Sequence, residues 1–269
     1  MSTELNKRWQ TALIALPVLF FIVYWLPAFL TLVLVATLIC LYEFYGIVLK
    51  DIPVFHGSNI LGFILSPLWI MTLYMGHAEY LWMIVVFHLF MLAIISVCEF
   101  NKSPDIIDTM IRQLIGLIYI SGLLSFLVLI RQFEQGHLWI YLTFLMIFAC
   151  DTGGYFVGKQ FGKTPLCPAV SPKKTIEGFL GGCLLCIIVC IIFVSLTTLP
   201  MPIGHMLCMS TIIGLIAPFG DLFESVLKRV SHIKDSGHIL PGHGGILDRI
   251  DALMFAGPLI YAYKTLFIG

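Results

Sequence analysis

The run GFLGGCLLCIIVCIIFVSL, residues 178–196, indicates most directly how this chain folds. It contains no Asp, Glu, Lys or Arg, and its length approaches the roughly 20 apolar residues that one helix needs to cross a lipid bilayer. With the residues that flank it, this run predicts a membrane-spanning helix over residues 176–198.

The composition of the whole chain agrees with this run. Of its 269 residues, 59% are hydrophobic and 11% are charged, whereas soluble domains are about 45–50% apolar and about 25% charged. We therefore predict an all-α fold, a polytopic bundle of membrane helices. The formal net charge is zero, which gives no electrostatic basis for binding nucleic acid.

Nine apolar stretches predict nine membrane spans. They occupy residues 11–24, 26–48, 58–75, 79–97, 111–130, 137–157, 176–198, 203–220 and 250–267. The first is short, and Pro27 alone separates it from the second, so eight spans are an alternative. Lys7 and Arg8 precede the first stretch as in a signal peptide, but no clear cleavage site follows, which favours an uncleaved span.

The positions of the basic residues predict the orientation. If the N-terminus is cytoplasmic and nine spans alternate, all of the 15 Lys and Arg residues except Arg131 and Lys264 lie on the cytoplasmic side. Fusing the first two spans would divide the basic residues between the two sides. The two longest polar connections, 158–175 and 221–249, are then both cytoplasmic.

The chemistry is distributed unevenly along the chain. We predict an N-terminal region of transmembrane helices over residues 1–130 and a catalytic region over residues 137–269. In the first region, Glu43 and Glu99 lie near span ends, where a side chain usually reaches the interface. Carboxylates within a membrane often have a function, so a contribution of Glu43 to the site is the alternative.

The eight cysteines lie mostly in apolar runs, which indicates packing. Cys183, Cys186 and Cys190 share one helical face by their spacing. A metal or redox site there would need a fourth ligand at lipid depth, so we do not predict one, and no disulfide framework is implied.

The first candidate constellation is ACDTGGYFVGKQFGKTPLCPAVSPKKTIEG, residues 149–178. Asp151 ends an apolar run, and the glycines that follow would let a ligand approach the backbone closely. Ser171 and Pro172 predict the start of a helix, where Lys173 and Lys174 would help to bind phosphate. Ordinary positive charge beside a membrane is the alternative explanation.

Two further constellations follow on the second long connection. In GDLFESVLKR, residues 220–229, a helix would place Asp221, Glu224, Ser225 and Lys228 on one face. Carboxylates one turn apart suit a hard divalent cation, although an ion pair between Glu224 and Lys228 is a simpler explanation.

In GHGGILDRIDAL, residues 242–253, Asp248 and Asp251 again lie one turn apart. His243 stands among glycines beside these aspartates and is the one histidine that we include in the candidate site. Carboxylates that bind divalent metal, together with basic residues that bind phosphate, are typical of phosphoryl- or nucleotidyl-transfer sites.

The stretch SVLKRVSHIKDSGHILPGHGGILDRID, residues 225–251, resembles the signature of the phosphatidate cytidylyltransferases, also called CDP-diacylglycerol synthases. DTGGYFVGKQFG and SPKKTIEG, residues 151–162 and 171–178, are also similar to blocks of that family. The resemblance implies transfer of CMP from CTP to phosphatidate with Mg²⁺, giving CDP-diacylglycerol and pyrophosphate. A second, monovalent cation is left open.

The resemblance also implies roles for individual residues. The expected catalytic residues are Asp221, Lys228, Arg229, Asp248 and Asp251. The expected metal ligands are Asp221, Asp248 and Asp251, with Asp151 and Glu224 as additional candidates. The expected substrate-binding residues are Ser171, Lys173, Lys174, Thr175, Ser225, Lys234, Asp235, His243 and Arg249.

Other functions remain as alternatives, and the sequence leaves some properties open. A CTP-dependent lipid kinase would use similar charged groups but release CDP, and a cation transporter would place its carboxylates at mid-membrane depth. The expected partners are CTP, phosphatidate and membrane lipids, in a bacterial inner (plasma) membrane with the site facing the cytoplasm. A homodimer is left open.

Overall fold

The structure is a computed structural model whose description covers residues 17–49, 53–102, 105–233, 236–237 and 244–268. Residues 17–24 are helical and form α1. The helices that follow are α2 (Leu26–Val48), α3 (Gly57–Tyr74), α4 (Leu81–Glu99), α5 (Ile106–Gly116), α6 (Leu123–Arg131), α7 (Gly136–Phe161), α8 (Ile176–Leu196), α9 (Ile203–Ile216), α10 (Pro218–Val230) and α11 (Leu247–Tyr263).

The predicted all-α membrane fold is confirmed. Within the described chain, seven helical stretches are long and apolar enough to cross a membrane. Two of them join successive helices: α5 continues through the π-helical residues Leu117–Gly122 into α6, and α9 continues into α10. The count of nine spans stays a prediction, because residues 11–16 lie outside the described chain and α11 is a 17-residue helix extended by the π-helical turn Lys264–Ile268.

A sharp break separates α1 from α2. Trp25 has extended backbone angles, and Pro27 lacks the N–H that would continue the helix. Phe20 stacks on Tyr141 at 4.4 Å and Tyr24 meets His137 edge-on, so α1 runs antiparallel to α7 over its described residues. Helices α1 and α2 are therefore distinct elements, as the nine-span prediction requires.

Contacts between helix ends show that the long helices alternate in direction. At one end of the bundle, Gln132 donates to the carbonyl of Tyr74, and His205 contacts Tyr263. At the other end, which we call the site end, Lys174 pairs with Asp221. The connections 158–175 and 221–249 therefore lie at the same end, as predicted, while their cytoplasmic orientation stays a prediction.

The two long connections contain more regular structure than the sequence analysis predicted. In the first, strands β1 (Pro165–Cys167) and β2 (Ser171–Thr175) form an antiparallel hairpin. The prediction that Ser171 starts a helix is wrong, because α8 begins at Ile176 with the Thr175 hydroxyl accepting the Gly178 N–H. In the second, residues up to Val230 are helical.

Helices α7 and α8 pack very closely through glycines. A Cβ atom on Gly153 would lie 2.7 Å from the Gly181 carbonyl oxygen, and one on Gly178 would lie 2.7 Å from the Gly154 oxygen. Glycines that let helix backbones approach are a common basis of helix association in membranes. Of the four glycines predicted to admit a ligand, Gly154 and Gly158 line a cavity, and for them this stays a prediction. Gly153 and Gly162 instead approach α8 or its cap.

One hydrophobic core extends through both predicted regions of the chain. It includes Phe29 and Tyr45 of α2 as well as Met146 of α7 and Met254 of α11. The division into regions 1–130 and 137–269 stays a prediction. Cys186 and Cys190 are fully buried in this core, and all eight cysteines are free thiols, in agreement with a packing role for most of them.

Candidate functional site

A cavity of about 650 Å³ lies at the site end between α7, α8, the β-hairpin and the start of α10. We call it the hairpin pocket. Its lining includes six residues that the sequence analysis assigned to the site: Asp151, Ser171, Lys173, Lys174, Thr175 and Asp221. Phe179 and Tyr155 also line it, so charged and apolar surfaces face the same space. The pocket suits a ligand with a charged head and an apolar body.

Asp221 and Lys174 connect α10 to the hairpin inside this pocket. Lys174 Nζ lies 2.5 Å from Asp221 Oδ2, and both side chains are partly exposed. The Ser225 hydroxyl, one helical turn after Asp221, donates to Asp221 Oδ1 at 3.4 Å. Asp221 and Ser225 therefore share one face of α10, as predicted. Asp221 of α10 and Lys174 of the hairpin place a carboxylate and a cation where a phosphate could reach both.

A second group of charges is buried behind the pocket. We call Glu224, Lys228, Asp248 and Asp251 the buried charge cluster. Lys228 Nζ lies 2.5 Å from Asp248 Oδ1 and 3.4 Å from Glu224 Oε2. Glu224 is fully buried, and no described residue donates a well-aligned hydrogen bond to either of its oxygens. Buried charges are costly unless paired, and Lys228 lies between Glu224 and Asp248 as their shared cationic partner.

Asp248 is the most highly connected member of the cluster. Its Oδ2 accepts hydrogen bonds from the Ser236 N–H at 3.1 Å, the Ser236 hydroxyl at 2.9 Å and the Gly245 N–H at 3.2 Å. Burial by itself would raise the pKa of Asp248, but its hydrogen bonds with Glu224, Lys228 and Ser236 and the Lys228 charge hold that pKa below its ordinary value. Asp248 is therefore a fixed anion that orients Lys228.

The hairpin pocket and the buried charge cluster are neighbours joined by α10, which carries Asp221 of the pocket and Glu224 and Lys228 of the cluster. Asp221 in the pocket interacts electrostatically with both Asp151 and the buried Asp251. Negative charges of this density repel one another unless a cation lies among them. The structure thus brings together the carboxylates of three segments that the sequence analysis assigned to one site.

Other predicted site residues lie at the edge of this arrangement or outside the description. Arg229 Nε donates to the carbonyl of Val170 at 3.2 Å, joining α10 to the hairpin turn, and Arg249 is exposed. Thr175 caps α8 through its hydroxyl as well as lining the pocket. Lys234, Asp235 and His243 lie outside the described residues, so their roles stay predictions.

Two further residues contact this site. Ser236, which was not predicted, holds Asp248, as described above, and the Glu43 carboxylate accepts the N–H groups of Ile246 and Leu247. The expectation that Glu43 reaches the interface is wrong, since the side chain is buried, and the alternative, a contact with the site, is what the structure has. Glu43 is the one charged residue of α2, and that isolation within a span was the signal for the alternative.

The donor set is compatible with Mg²⁺ bound together with a nucleotide. Within the described part of the chain, no three Asp, Glu, His or Cys side chains already form a metal-binding group. Mg²⁺ usually binds through one or two carboxylates and substrate phosphates, and less often in a cage made of protein alone. Asp151 and Asp221, which share the pocket, have the oxygen chemistry for that mode.

Comparison with known proteins agrees with this geometry. A model of the cytidylyltransferase family matches residues 6–267. The chain belongs to the cytidylyltransferase family. The matched range includes α1 to α6 as well as the signature.

Several curated relatives have one function. Phosphatidate cytidylyltransferase of Bacillus subtilis (strain 168) is 42% identical over 151 residues, which is 56% of each chain. The proteins of the same name from Staphylococcus epidermidis (strain RP62A) and Staphylococcus aureus (strain COL) are each 45% identical over 127 residues, 47% of this chain and 49% of the relative. The aligned stretch thus spans about half the length of the curated relatives it matches.

Replacing Lys174 tests whether the pocket binds phosphate. In K174M the side chain keeps its approximate length but loses the cation beside Asp221, so the dissociation constant for a nucleoside triphosphate, with CTP as the probe, should rise about tenfold, as expected for one lost charge-assisted hydrogen bond. Isothermal titration calorimetry with CTP measures this. K163M is the matched control, since Lys163 is exposed on the same connection, and an equal rise in both variants would contradict a specific role for Lys174.

Proposed function

We propose that this protein transfers CMP from CTP to phosphatidate, releasing pyrophosphate and forming CDP-diacylglycerol in the membrane. One observation carries the proposal: a pocket containing both carboxylates and lysines lies within a membrane bundle, beside a buried cluster of further charges. A water-soluble triphosphate and a membrane lipid can meet at such a place. The family membership and the named relatives support the same reaction.

The chemistry of the reaction fits the residues present. An oxygen of the phosphatidate phosphate attacks the α-phosphorus of CTP, a new P–O bond forms, and the bond to the β-phosphate breaks so that pyrophosphate leaves. That phosphate oxygen is already anionic near pH 7, so the reaction needs no strong general base. Positioning and charge neutralisation are then the main contributions of the protein.

In this proposal the residues of the hairpin pocket bind phosphate, and those of the buried charge cluster hold Lys228 in place. Lys173 and Lys174 bind phosphate groups in the hairpin pocket, while Asp248 and Glu224 hold Lys228 in place behind it. Asp221, with Asp151 or Asp251, would hold Mg²⁺, which supplies charge neutralisation on the triphosphate. Four donors already surround the Asp248 oxygens, so we assign Asp248 to orienting Lys228 in preference to binding metal.

The distribution of the basic residues supports an orientation of the protein in the membrane. The site end carries most of the described basic residues, and Arg131 and Lys264 lie toward the opposite end. Under the positive-inside rule the site end is cytoplasmic, where CTP is available. We propose a bacterial inner (plasma) membrane, with the site facing the cytoplasm.

The products of the reaction test this proposal. Purified protein in detergent, incubated with CTP, phosphatidate and Mg²⁺, should release pyrophosphate and form a lipid bearing CMP in equal amounts, and EDTA should abolish both. Release of CDP with a phosphorylated lipid would indicate a lipid kinase instead. No nucleotide turnover by a folded, monodisperse preparation would reject both, and cation flux in proteoliposomes would then be the next assay.

A further inference from the structure

Glu43 belongs to α2, but its carboxylate contacts the start of α11, far away in the sequence. It lies in the second-last turn of α2 and is 2% exposed. Its Oε1 accepts the N–H of Ile246 at 3.0 Å, and its Oε2 accepts the N–H of Leu247 at 2.8 Å. These are the first N–H groups of α11, which have no partner within their own helix, and a helix N-terminus favours a negative group.

The chain around this carboxylate is shaped to fit it. A Cβ atom on Gly237 would lie 2.6 Å from Glu43 Oε1, and one on Gly245 would lie 2.7 Å from Oε2. Both distances are shorter than a real Cβ contact allows. The glycines of the signature therefore leave the space that the Glu43 carboxylate occupies, and a side chain at either position would push it away.

Ser236 links the same carboxylate to the buried charge cluster. Its hydroxyl oxygen lies 2.9 Å from Asp248 Oδ2 and 3.5 Å from Glu43 Oε2. Asp248 accepts the Gly245 N–H, and Glu43 accepts the N–H groups of Ile246 and Leu247. Both carboxylates thus hold the short segment 245–247, which leads into the first turn of α11. A shift of that turn would displace both Asp248 and Asp251.

The end of α2 is itself held firmly, so it can act as a reference point. Arg112 donates to the carbonyl of Val48 at 2.6 Å, and the Tyr45 hydroxyl donates to the carbonyl of Gln113 at 3.2 Å. The Gln113 amide in turn bonds to Ser58 and Asn59 of α3. Functional groups are placed accurately when such supporting hydrogen bonds fix their neighbours.

We propose that Glu43 is a positioning residue that sets the place of Asp248 and Asp251 by holding the first turn of α11. The N-terminal helices then contribute to catalysis through a residue that positions the site. The proposed effect on turnover rests on the proposed function, but the effect on the first turn of α11 does not.

The experiment compares E43Q with E43D and with E99Q as the matched control. E43Q replaces one acceptor oxygen with an NH₂ group that faces a backbone N–H, whereas E43D keeps both oxygens on a shorter side chain. Glu99 is a partly exposed carboxylate at the site end of α4, 3.7 Å from His56. Each variant is first shown to be monodisperse, with melting recorded in detergent.

Hydrogen exchange measured by mass spectrometry reports the contact without reference to activity. In E43Q, exchange in peptides covering residues 244–251 should accelerate at least about tenfold, with the rest of the chain unchanged, and kcat should fall about tenfold while the KM for CTP stays within about twofold. In E43D, the exchange rate at residues 244–251 and kcat should both lie between those of E43Q and the wild type. E99Q should match the wild type in both measurements.

The outcomes separate this proposal from the proposed function. Unchanged exchange at residues 244–251 in E43Q, or faster exchange with an unchanged kcat, overturns the positioning role. Faster exchange spread over the whole chain also overturns it, since that shows general destabilisation. If the wild type has no cytidylyl transfer while E43Q still exchanges faster at residues 244–251 alone, the contact is upheld and the proposed function fails.

If E43Q does not fold, G237A provides the second test, because its Cβ would lie 2.6 Å from Glu43 Oε1 and its three nearest atoms all belong to Glu43. It should produce the same local exchange and the same loss of kcat. A folded G237A protein with wild-type exchange and kcat overturns the proposal.

Discussion

D248N should lose at least about 99% of the cytidylyl transfer activity, a fall in kcat of about 100-fold or more, while the protein still inserts and folds. Removing the charge of Asp248 leaves Lys228 buried beside Glu224 alone. The asparagine NH₂ group would also face the donors of Lys228, Ser236 or Gly245. Loss of one partner of a buried charge pair typically costs about 3–5 kcal/mol. The loss should also change the geometry of the site.

A double-variant comparison separates the charge pair from simple misfolding. Melting in detergent should show that D248N is destabilised, and that D248N combined with K228M is less destabilised than the sum of the two single variants, because no unpaired cation remains. Activity should stay low in all three variants. D108N, which alters an exposed ion pair with Arg112, is the control and should keep nearly full activity.

The prediction fails if folded D248N retains turnover within about tenfold of the wild type. Lys228 would then need no anionic partner for catalysis, and the buried charge cluster would be a structural feature alone. Additive effects of D248N and K228M on melting would contradict the pairing itself, since groups in direct contact are expected to show coupling.

The sequence allowed the helices of the fold to be predicted because lipid imposes a simple rule. The limits of α2 match the predicted span 26–48, and α8 begins at the predicted residue 176. A helix in a membrane needs little more than an apolar run of sufficient length. The charged face of α10 was predictable for a similar reason, since helical spacing alone places Asp221, Ser225 and Lys228 together.

The contacts between distant segments could not be predicted in this way. Nothing in the local sequence around Glu43 specifies that its partners are the N–H groups of Ile246 and Leu247, about two hundred residues later in the chain. The hairpin at Ser171–Thr175 was missed because serine followed by proline is a helix-start signal that here lies in a strand. Tertiary pairing with β1 decided the outcome there.

The glycines show how one signal can have two explanations. Glycine permits close approach of any partner, whether a ligand or another backbone. The sequence offers glycines on both sides of the α7–α8 contact, at Gly153 and at Gly181 and Gly182, and this pairing becomes visible once the helices are placed side by side. The glycines after Asp151, taken alone, favoured a ligand.

The last prediction follows from that packing: G153A should lower the melting temperature by more than about 10 °C, whereas G154A should leave it nearly unchanged. The two glycines are adjacent in α7, so the gain in helix propensity from alanine is similar. A Cβ on Gly153 would lie 2.7 Å from the Gly181 oxygen and 3.0 Å from Gly182 Cα, both of them backbone atoms that cannot rotate away. On Gly154 the nearest atom is the Gly178 oxygen at 3.7 Å, an ordinary contact.

Overpacking of this kind typically lowers the free energy of unfolding by about 1–3 kcal/mol, and by more where backbones are in contact. It would also widen the hairpin pocket that α7 and α8 enclose. Melting of the detergent-solubilised variants, followed by circular dichroism or by fluorescence, measures the difference. G204A adds a second control, because a Cβ at the start of α9 meets no atom within 4 Å. Equal melting temperatures for G153A and G154A would show that α7 and α8 are not held at this distance. The hairpin pocket that they enclose would then have a different shape.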